Sequence, residues 1–176
     1  MSQKRAVRAI VCGIALSVMG PAARAAAQAK LPASVSADVK SNADLCPEAG
    51  GTPNTKDAVK SADLNGDGKP DFVFLNGWIH CDGAASVYGD REKVLKVYAG
   101  DGTGGAVAVF TGMAFDATLE GTGAATKLWL GVSGADCGKP PAESFATENF
   151  CDRAIVWNAK SREFEYAPVS TVRMIE

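Results

Sequence analysis

Histidine is the scarcest of the chemically versatile residues in this 176-residue chain, which contains only His80. A serine nucleophile needs a histidine as its base, and residues 131–135 depart from the Gly-x-Ser-x-Gly signature because the last of them is alanine. A zinc site that pairs His80 with Cys81 is an open alternative, but no Cys-x-x-Cys spacing supports it. The sequence therefore does not favour nucleophilic or zinc chemistry.

Long apolar runs are also missing. After residue 30, no apolar segment approaches the ~20 residues that a membrane-spanning helix needs. The glycine-rich segment 100–105 lacks the Lys-Ser/Thr pair of a phosphate-binding loop, and it predicts a hairpin turn instead. We therefore expect no membrane span beyond the N-terminal region and no nucleotide-phosphate loop.

The first 29 residues have the organisation of a secretory signal peptide. Basic residues at positions 4, 5 and 8 precede a short apolar stretch at 9–19, and small residues that suit cleavage follow. Cleavage after Ala29 removes four basic residues and no acid, so basic residues fall from 18 to 14 against 20 acidic residues, a net charge of −6. That balance argues against nucleic acid and anionic membrane surfaces as partners. We expect a single periplasmic or secreted domain over residues 30–176.

Four cysteines follow the signal segment. An even number in an exported chain predicts two disulfides, with three possible pairings. We favour Cys46–Cys81 and Cys137–Cys151, because each pair then closes one compact segment. In the chain-entropy description, such bonds stabilise a domain by about 3–4 kcal/mol each.

The apolar pattern predicts a mainly β or α+β fold, namely a small antiparallel sheet or sandwich with a possible N-terminal helix. Val35, Val39 and Ala43 are spaced four apart, which favours the helix. Short runs of strand-forming residues between glycine-rich turns predict the sheet. The predicted strands include residues 58–64, 71–79, 84–88, 93–98, 107–111, 115–120, 127–132, 153–158 and 163–166.

Residues 63–71 carry oxygen-bearing side chains at alternate positions of a tight loop. Calcium takes six to eight oxygen ligands in a flexible shell, and this alternation can supply them. Gly68 permits the sharp turn, whereas Pro70 and the apolar run after Asp71 favour a following strand over a helix. The sequence thus predicts a strand–loop–strand site with a structural Ca²⁺; magnesium or a lanthanide is the alternative. The candidate ligands are Asp63, Asn65, Asp67, the backbone carbonyl of Lys69, and Asp71 through both of its oxygens.

The segment 62–76, ADLNGDGKPDFVFLN, resembles the calcium loop and following strand of FG-GAP or VCBS-type repeats, the blades of integrin-like β-propellers. It differs from an EF-hand, which needs a bidentate glutamate where Phe74 stands. The resemblance implies calcium binding through the five positions just given. A propeller needs several copies of its blade, and this chain has one copy, so the resemblance implies a metal loop without the propeller.

The segment 138–150, GKPPAESFATENF, predicts a second functional element. The favoured Cys137–Cys151 bond would close it at its base, and a restrained loop loses less entropy when it docks onto a partner. A passive insertion between two strands is the alternative. The candidate partner-binding residues are Pro140, Pro141, Phe145 and Phe150.

Together these features predict an exported, calcium-binding and non-enzymatic binding module whose partner is an envelope protein or a glycan. Two other functions stay open. One is a small envelope hydrolase that uses carboxylates, although no single acid stands out as catalytic. The other is an inhibitor of an envelope hydrolase that presents the loop 138–150 to the cleft of its target.

Overall fold

A computed structural model of the chain describes residues 30–140 and 142–175. The predicted signal peptide at 1–29, the candidate partner residue Pro141 and the terminal Glu176 lie outside the described residues. Across the described part, the chain forms two short helices and eleven strands. The helices are α1 (Ala33–Ala43) and α2 (Leu45–Glu48). The strands are β1 (Thr52–Asn54), β2 (Val59–Ala62), β3 (Asp71–Leu75), β4 (His80–Asp82), β5 (Lys93–Gly100), β6 (Ala106–Ala114), β7 (Asp116–Glu120), β8 (Lys127–Ser133), β9 (Phe150–Asn158), β10 (Glu163–Tyr166) and β11 (Arg173–Met174).

The strands pair in antiparallel fashion, which confirms the mainly β fold. A four-stranded sheet has the order β2-β3-β5-β6, and a second sheet has the order β10-β9-β8-β7, with β11 added against the start of β9. β1 and β4 form a separate two-stranded ribbon. The two larger sheets are each built mostly from neighbours in the chain, as short hairpin connections allow.

The two large sheets share one hydrophobic core. Val73, Leu95 and Val97 from the first sheet belong to the same buried cluster as Leu128 and Ile155 from the second. Every second residue of β8 from Leu128 to Val132 belongs to this cluster, as do Leu95 and Val97 of β5, so each sheet turns one apolar face towards the other. The architecture is therefore a sandwich, one of the two forms that the sequence predicts.

Helix α1 covers the outer face of the first sheet. The residues that predicted it, Val35, Val39 and Ala43, are all buried. They pack against Phe74 and Tyr98 in a second hydrophobic cluster. The helix is thus held mainly by its apolar stripe, because helices of this length are marginal in isolation.

One predicted strand is wrong. Residues 84–88 form successive turns, in which the N–H of Val87 donates to the carbonyl of Ala84 (3.1 Å) and that of Gly89 donates to Ser86 (2.8 Å). The hydroxyl of Tyr88 donates to the carbonyl of Asn42 in α1, at 3.2 Å. The segment has strand-forming residues but no neighbouring strand to pair with, so its backbone groups are satisfied locally.

Both favoured disulfides are confirmed. Cys46 of α2 is bonded to Cys81 of β4, and Cys137 is bonded to Cys151 of β9, each with Cα atoms 5.8 Å apart. The first bond removes Cys81 as a thiolate ligand, which excludes the His80–Cys81 zinc alternative. Two disulfides in one chain indicate an oxidising compartment. Within the described residues, no helix is long and apolar enough to cross a membrane.

A polar cluster fixes α1 to the sheet at one point. The carboxylate of Asp38 accepts hydrogen bonds from the Lys96 ammonium (2.8 Å) and from the hydroxyl of Tyr98. Burial raises the pKa of Asp38, but these two hydrogen bonds and the charge of Lys96 outweigh burial, so the pKa lies below its ordinary value. Burial, followed by the hydrogen bond to Asp38 and its negative charge, raises the pKa of Tyr98, which stays a hydrogen-bond donor at neutral pH.

We predict that Asp38→Asn lowers the free energy of unfolding by about 1 kcal/mol at pH 7, because it removes the charge from two hydrogen bonds. Because the pKa of Asp38 is lowered in the folded protein, its charged form contributes this stability fully above the ordinary aspartate pKa of about 4. The contribution is lost as the pH falls through the folded-state pKa. Urea unfolding at pH 7 and at pH 3 measures both effects. The control is Asp44→Asn, which changes an exposed ion pair with Lys40. The prediction would be contradicted by an equal loss of stability in both variants. It would also be contradicted if the difference in unfolding free energy between wild type and Asp38→Asn were as large at pH 3 as at pH 7.

Candidate metal centre

The predicted metal loop connects β2 to β3 as a strand–loop–strand unit. Pairing of Ala62 with Asp71 closes the base of the loop. Gly66 and Gly68 have φ of 79° and 80°, a left-handed conformation that residues with a Cβ rarely adopt. The glycines therefore allow the backbone to fold back on itself between the ends of the two strands.

The loop is held by its own first acid. One oxygen of Asp63 accepts the N–H of Gly66 at 2.8 Å, and the other accepts the N–H of Gly68 at 3.0 Å. A carboxylate oxygen has two lone pairs. Asp63 therefore keeps a lone pair on each oxygen after it has shaped the turn.

The next two candidate ligands form the same kind of local bond. Oδ1 of Asn65 accepts the N–H of Asp67, and Oδ1 of Asp67 accepts the N–H of Lys69, both at 2.9 Å. Side chains that bond to the backbone two residues ahead favour turns over helices and strands. These bonds explain why the alternating Asp/Asn pattern folds as a loop with its side chains already ordered.

The fifth candidate ligand, Asp71, is fully buried, with 0% exposure. Its Oδ2 accepts the N–H groups of Leu64 (2.9 Å) and Asn65 (3.1 Å). Its Oδ1 accepts the N–H of Gly100 (3.2 Å) and, at 3.4 Å, the side-chain amide of Asn65. A Cβ at Gly100 would lie 2.1 Å from the carbonyl oxygen of Pro70, so only glycine allows β5 to approach this closely.

Burial raises the pKa of Asp71. The N–H bonds from Leu64, Gly100 and Asn65 lower it, and the negative charge of Asp67 raises it further, with a net upward shift. A cation bound in the loop would offset the negative charge of Asp67.

The residues fit a hard cation in the kind of donor that they supply. Asp63, Asn65 and Asp67 each have oxygen lone pairs left after the hydrogen bonds of the loop. Over residues 30–140 and 142–175, no three histidine, cysteine or acidic side chains converge closely enough to bind a metal by themselves. The set thus depends on the amide of Asn65 and the carbonyl of Lys69, donors that calcium accepts and zinc does not favour. Each oxygen of Asp71 already accepts two hydrogen bonds, so for Asp71 to bind through both oxygens, bonds to Oδ1 and to Oδ2 would have to give way.

An open cleft of about 270 Å³ lies beside the loop. The ammonium group of Lys69 reaches within 3.7 Å of Asp67 at its entrance, and both side chains are well exposed. The cleft connects the loop with the β5–β6 and β9–β10 turns. Its polar and aromatic lining includes Asn65, Asp67, Lys69, Asp101, Trp157 and Arg162.

The partner-loop residues lie on a different part of the molecule. Phe145 and Phe150 stack edge to face at 5.4 Å, and both contact Phe115, a residue that sequence spacing does not connect with them. Phe145 is 42% exposed, and the guanidinium of Arg91 lies 4.4 Å from the centre of its ring. Pro140 is exposed in the same loop. The loop is therefore anchored by its own aromatic residues and still presents one ring to solvent.

His80 is paired on the surface. Its Nε2 lies 2.9 Å from a carboxylate oxygen of Asp82, and both side chains are about two-thirds exposed or more. The pair is therefore an exposed surface contact. It lies in the β1–β4 ribbon, away from the loop.

Comparisons with protein-family models, with curated proteins and with solved structures return no match for this chain.

We predict that Asp71→Ala lowers the free energy of unfolding by about 3 kcal/mol or more in calcium-free buffer, because it leaves three backbone N–H groups at a buried position without an acceptor. Asp67→Ala, at an exposed position of the same loop, is the control and should change stability by no more than about 0.5 kcal/mol. Guanidinium unfolding in the presence of a chelator measures both. Similar losses in the two variants would contradict the structural role of Asp71.

Proposed function

We propose that this chain is an exported, non-enzymatic binding module whose β2–β3 loop binds one structural Ca²⁺. The proposal places the protein in the periplasm or outside the cell. The two disulfides support an oxidising compartment. The signal-like segment at 1–29 and the resemblance of residues 62–76 to FG-GAP or VCBS-type loops are further support from the sequence.

The observation that carries the calcium proposal is the prior ordering of the ligands. Asp63, Asn65 and Asp67 are held by hydrogen bonds from within the loop, and their oxygens keep spare lone pairs. An ordered site loses little conformational entropy when the ion binds. A calcium ion would supply positive charge to a nine-residue segment that contains three carboxylates.

The proposed role of the ion is to hold the hairpin rather than to take part in a reaction. The loop joins β2 to β3, and Asp71 ties its far end to β5 through Gly100. Fixing the loop therefore fixes the edge of the four-stranded sheet. By linkage, free calcium at 100 times its dissociation constant would add about 2.7 kcal/mol to the stability.

Partner contact is the second part of the proposal, and the loop 138–150 is the element that we assign to it. Its disulfide and aromatic cluster restrain the loop, while Phe145 stays exposed beside Arg91. Rigid aromatic residues next to arginine are frequent anchors in protein interfaces. The same ring and charge would also suit a glycan partner.

We predict that millimolar calcium raises the melting temperature of the chelator-stripped protein, and that Asp67→Ala removes most of this rise. The reason is that the variant loses one ligand oxygen and one negative charge while the loop keeps its other hydrogen bonds. Asp90→Ala is the control, because Asp90 is an exposed aspartate outside both the loop and the cleft beside it. Calorimetric scans with and without calcium provide the measurement.

The absence of any calcium-dependent shift in the wild type would contradict the metal proposal. An equal reduction in Asp67→Ala and Asp90→Ala would contradict the assignment of the site. Turnover of a glycan, ester or peptide substrate that is abolished by changing a carboxylate outside residues 63–71 would establish the hydrolase alternative instead.

A further inference from the structure

An open groove lies beside the edge strand β2, on the face of the four-stranded sheet that points away from the second sheet. It runs between the β1–β2 connection, the outer face of β2 and β3, and the residues that precede α1. Its volume of about 920 Å³ is within the range of small-molecule binding sites, about 300–1,000 Å³. The groove is separate from the partner loop and from the cleft beside the metal loop.

The floor of the groove is apolar. Val59 pairs with Phe74 and Phe72 pairs with Ser61, so Val59 and Phe72 lie on the same face of β2 and β3. Leu31, just before α1, lines the same groove. Val59, Phe72 and Leu31 are partly buried and pack against the cluster that α1 forms with the sheet. Pro53 and Pro70 complete the apolar lining. The groove is thus the open end of the helix–sheet interface, where α1 no longer covers the sheet.

The rim of the groove is cationic. Lys30 and Lys56 line it, and its other polar residues are neutral. Among the described residues, no carboxylate lies within ion-pair distance of either lysine. A hydrogen bond from the N–H of Lys56 to Oδ1 of Asn54, at 3.1 Å, fixes the turn that carries one of the two charges. This rim contrasts with a chain whose net charge is −2.

We infer that this groove binds a single-chain amphiphilic anion, with its apolar part on the floor and its carboxylate or sulfate at the two lysines. The apolar floor explains affinity for a hydrocarbon or aromatic body, since burying such surface is favourable. The two lysines of the rim explain the preference for an anionic head, because a cationic head would be repelled at the same rim. Of the loop 63–71, Pro70 lines the groove, and none of the five candidate calcium ligands does.

The test uses dodecanoate below its micelle concentration, titrated into the purified protein in the presence of a chelator. Isothermal titration should give saturable one-to-one binding, and the same chain length with a trimethylammonium head should bind at least about tenfold more weakly. The double variant Lys30→Glu/Lys56→Glu should lose about tenfold or more in affinity. The control Lys127→Glu/Lys160→Glu, which makes the same charge change at exposed positions outside the groove, should bind like the wild type.

A second variant tests the location. Ser61→Trp places a large side chain in the groove from an exposed strand position, where aromatic residues are well tolerated. It should abolish dodecanoate binding without lowering the melting temperature. Three results would each overturn the inference. They are equal affinities of the two double lysine variants for dodecanoate, equal affinities of the wild type for dodecanoate and the cationic amphiphile, and an affinity of Ser61→Trp for dodecanoate like that of the wild type. Binding to phosphatidylglycerol vesicles without binding to monomeric dodecanoate would overturn it too, because it would indicate a membrane surface as the ligand.

Discussion

The arrangement of the loop 63–71, β3 and β5 depends on one interaction, the hydrogen bonding of the buried carboxylate of Asp71. This carboxylate accepts backbone N–H groups from two places, the start of the metal loop and the end of β5, which lie far apart in the chain. A buried charge is tolerated only when several donors surround it. Asp71 therefore requires the loop, β3 and β5 to be correctly placed together, and the close approach at Gly100 makes that arrangement possible. The candidate ligands at 63, 65 and 67 are ordered on this base.

The remaining fold supports the same region from both sides. The second sheet packs on one face of the β2-β3-β5-β6 sheet, and α1 packs on the other through Val35 and Val39. Each disulfide joins elements that would otherwise be held by few contacts: α2 to the small ribbon, and the partner loop to β9. The result is a sandwich with three differently built surfaces. They are an acidic ordered loop, an anchored aromatic loop, and an apolar groove with a cationic rim. The proposed binding module would use such surfaces as recognition elements at the edges of a scaffold.

Local sequence information was sufficient where the determining contacts are local. The four-residue spacing of Val35, Val39 and Ala43 predicted α1, and Pro70 with the apolar run after it predicted a strand after the loop. The disulfide pairing followed from the even number of cysteines and the compactness of the closed segments. The strand prediction at 84–88 failed because strand propensity does not show whether a partner strand is nearby. Likewise, the burial of Asp71 depends on Gly100, 29 residues away, and the clustering of Phe115 with the partner loop depends on the pairing of distant strands. The groove has no local signature at all, because its floor and rim come from three separate segments.

The central claim is that residues 63–71 form an ordered cage for one calcium ion, and an NMR titration tests it most directly. Calcium would be added to isotope-labelled, chelator-stripped protein while the backbone amide signals are followed. We expect saturation at one ion per chain, with the largest shifts confined to the amides of residues 63–69, of Asp71 and of Gly100, which share the carboxylates of the loop. Spectra that do not change at millimolar calcium, or shifts that are spread over surface acids without saturation, would contradict it.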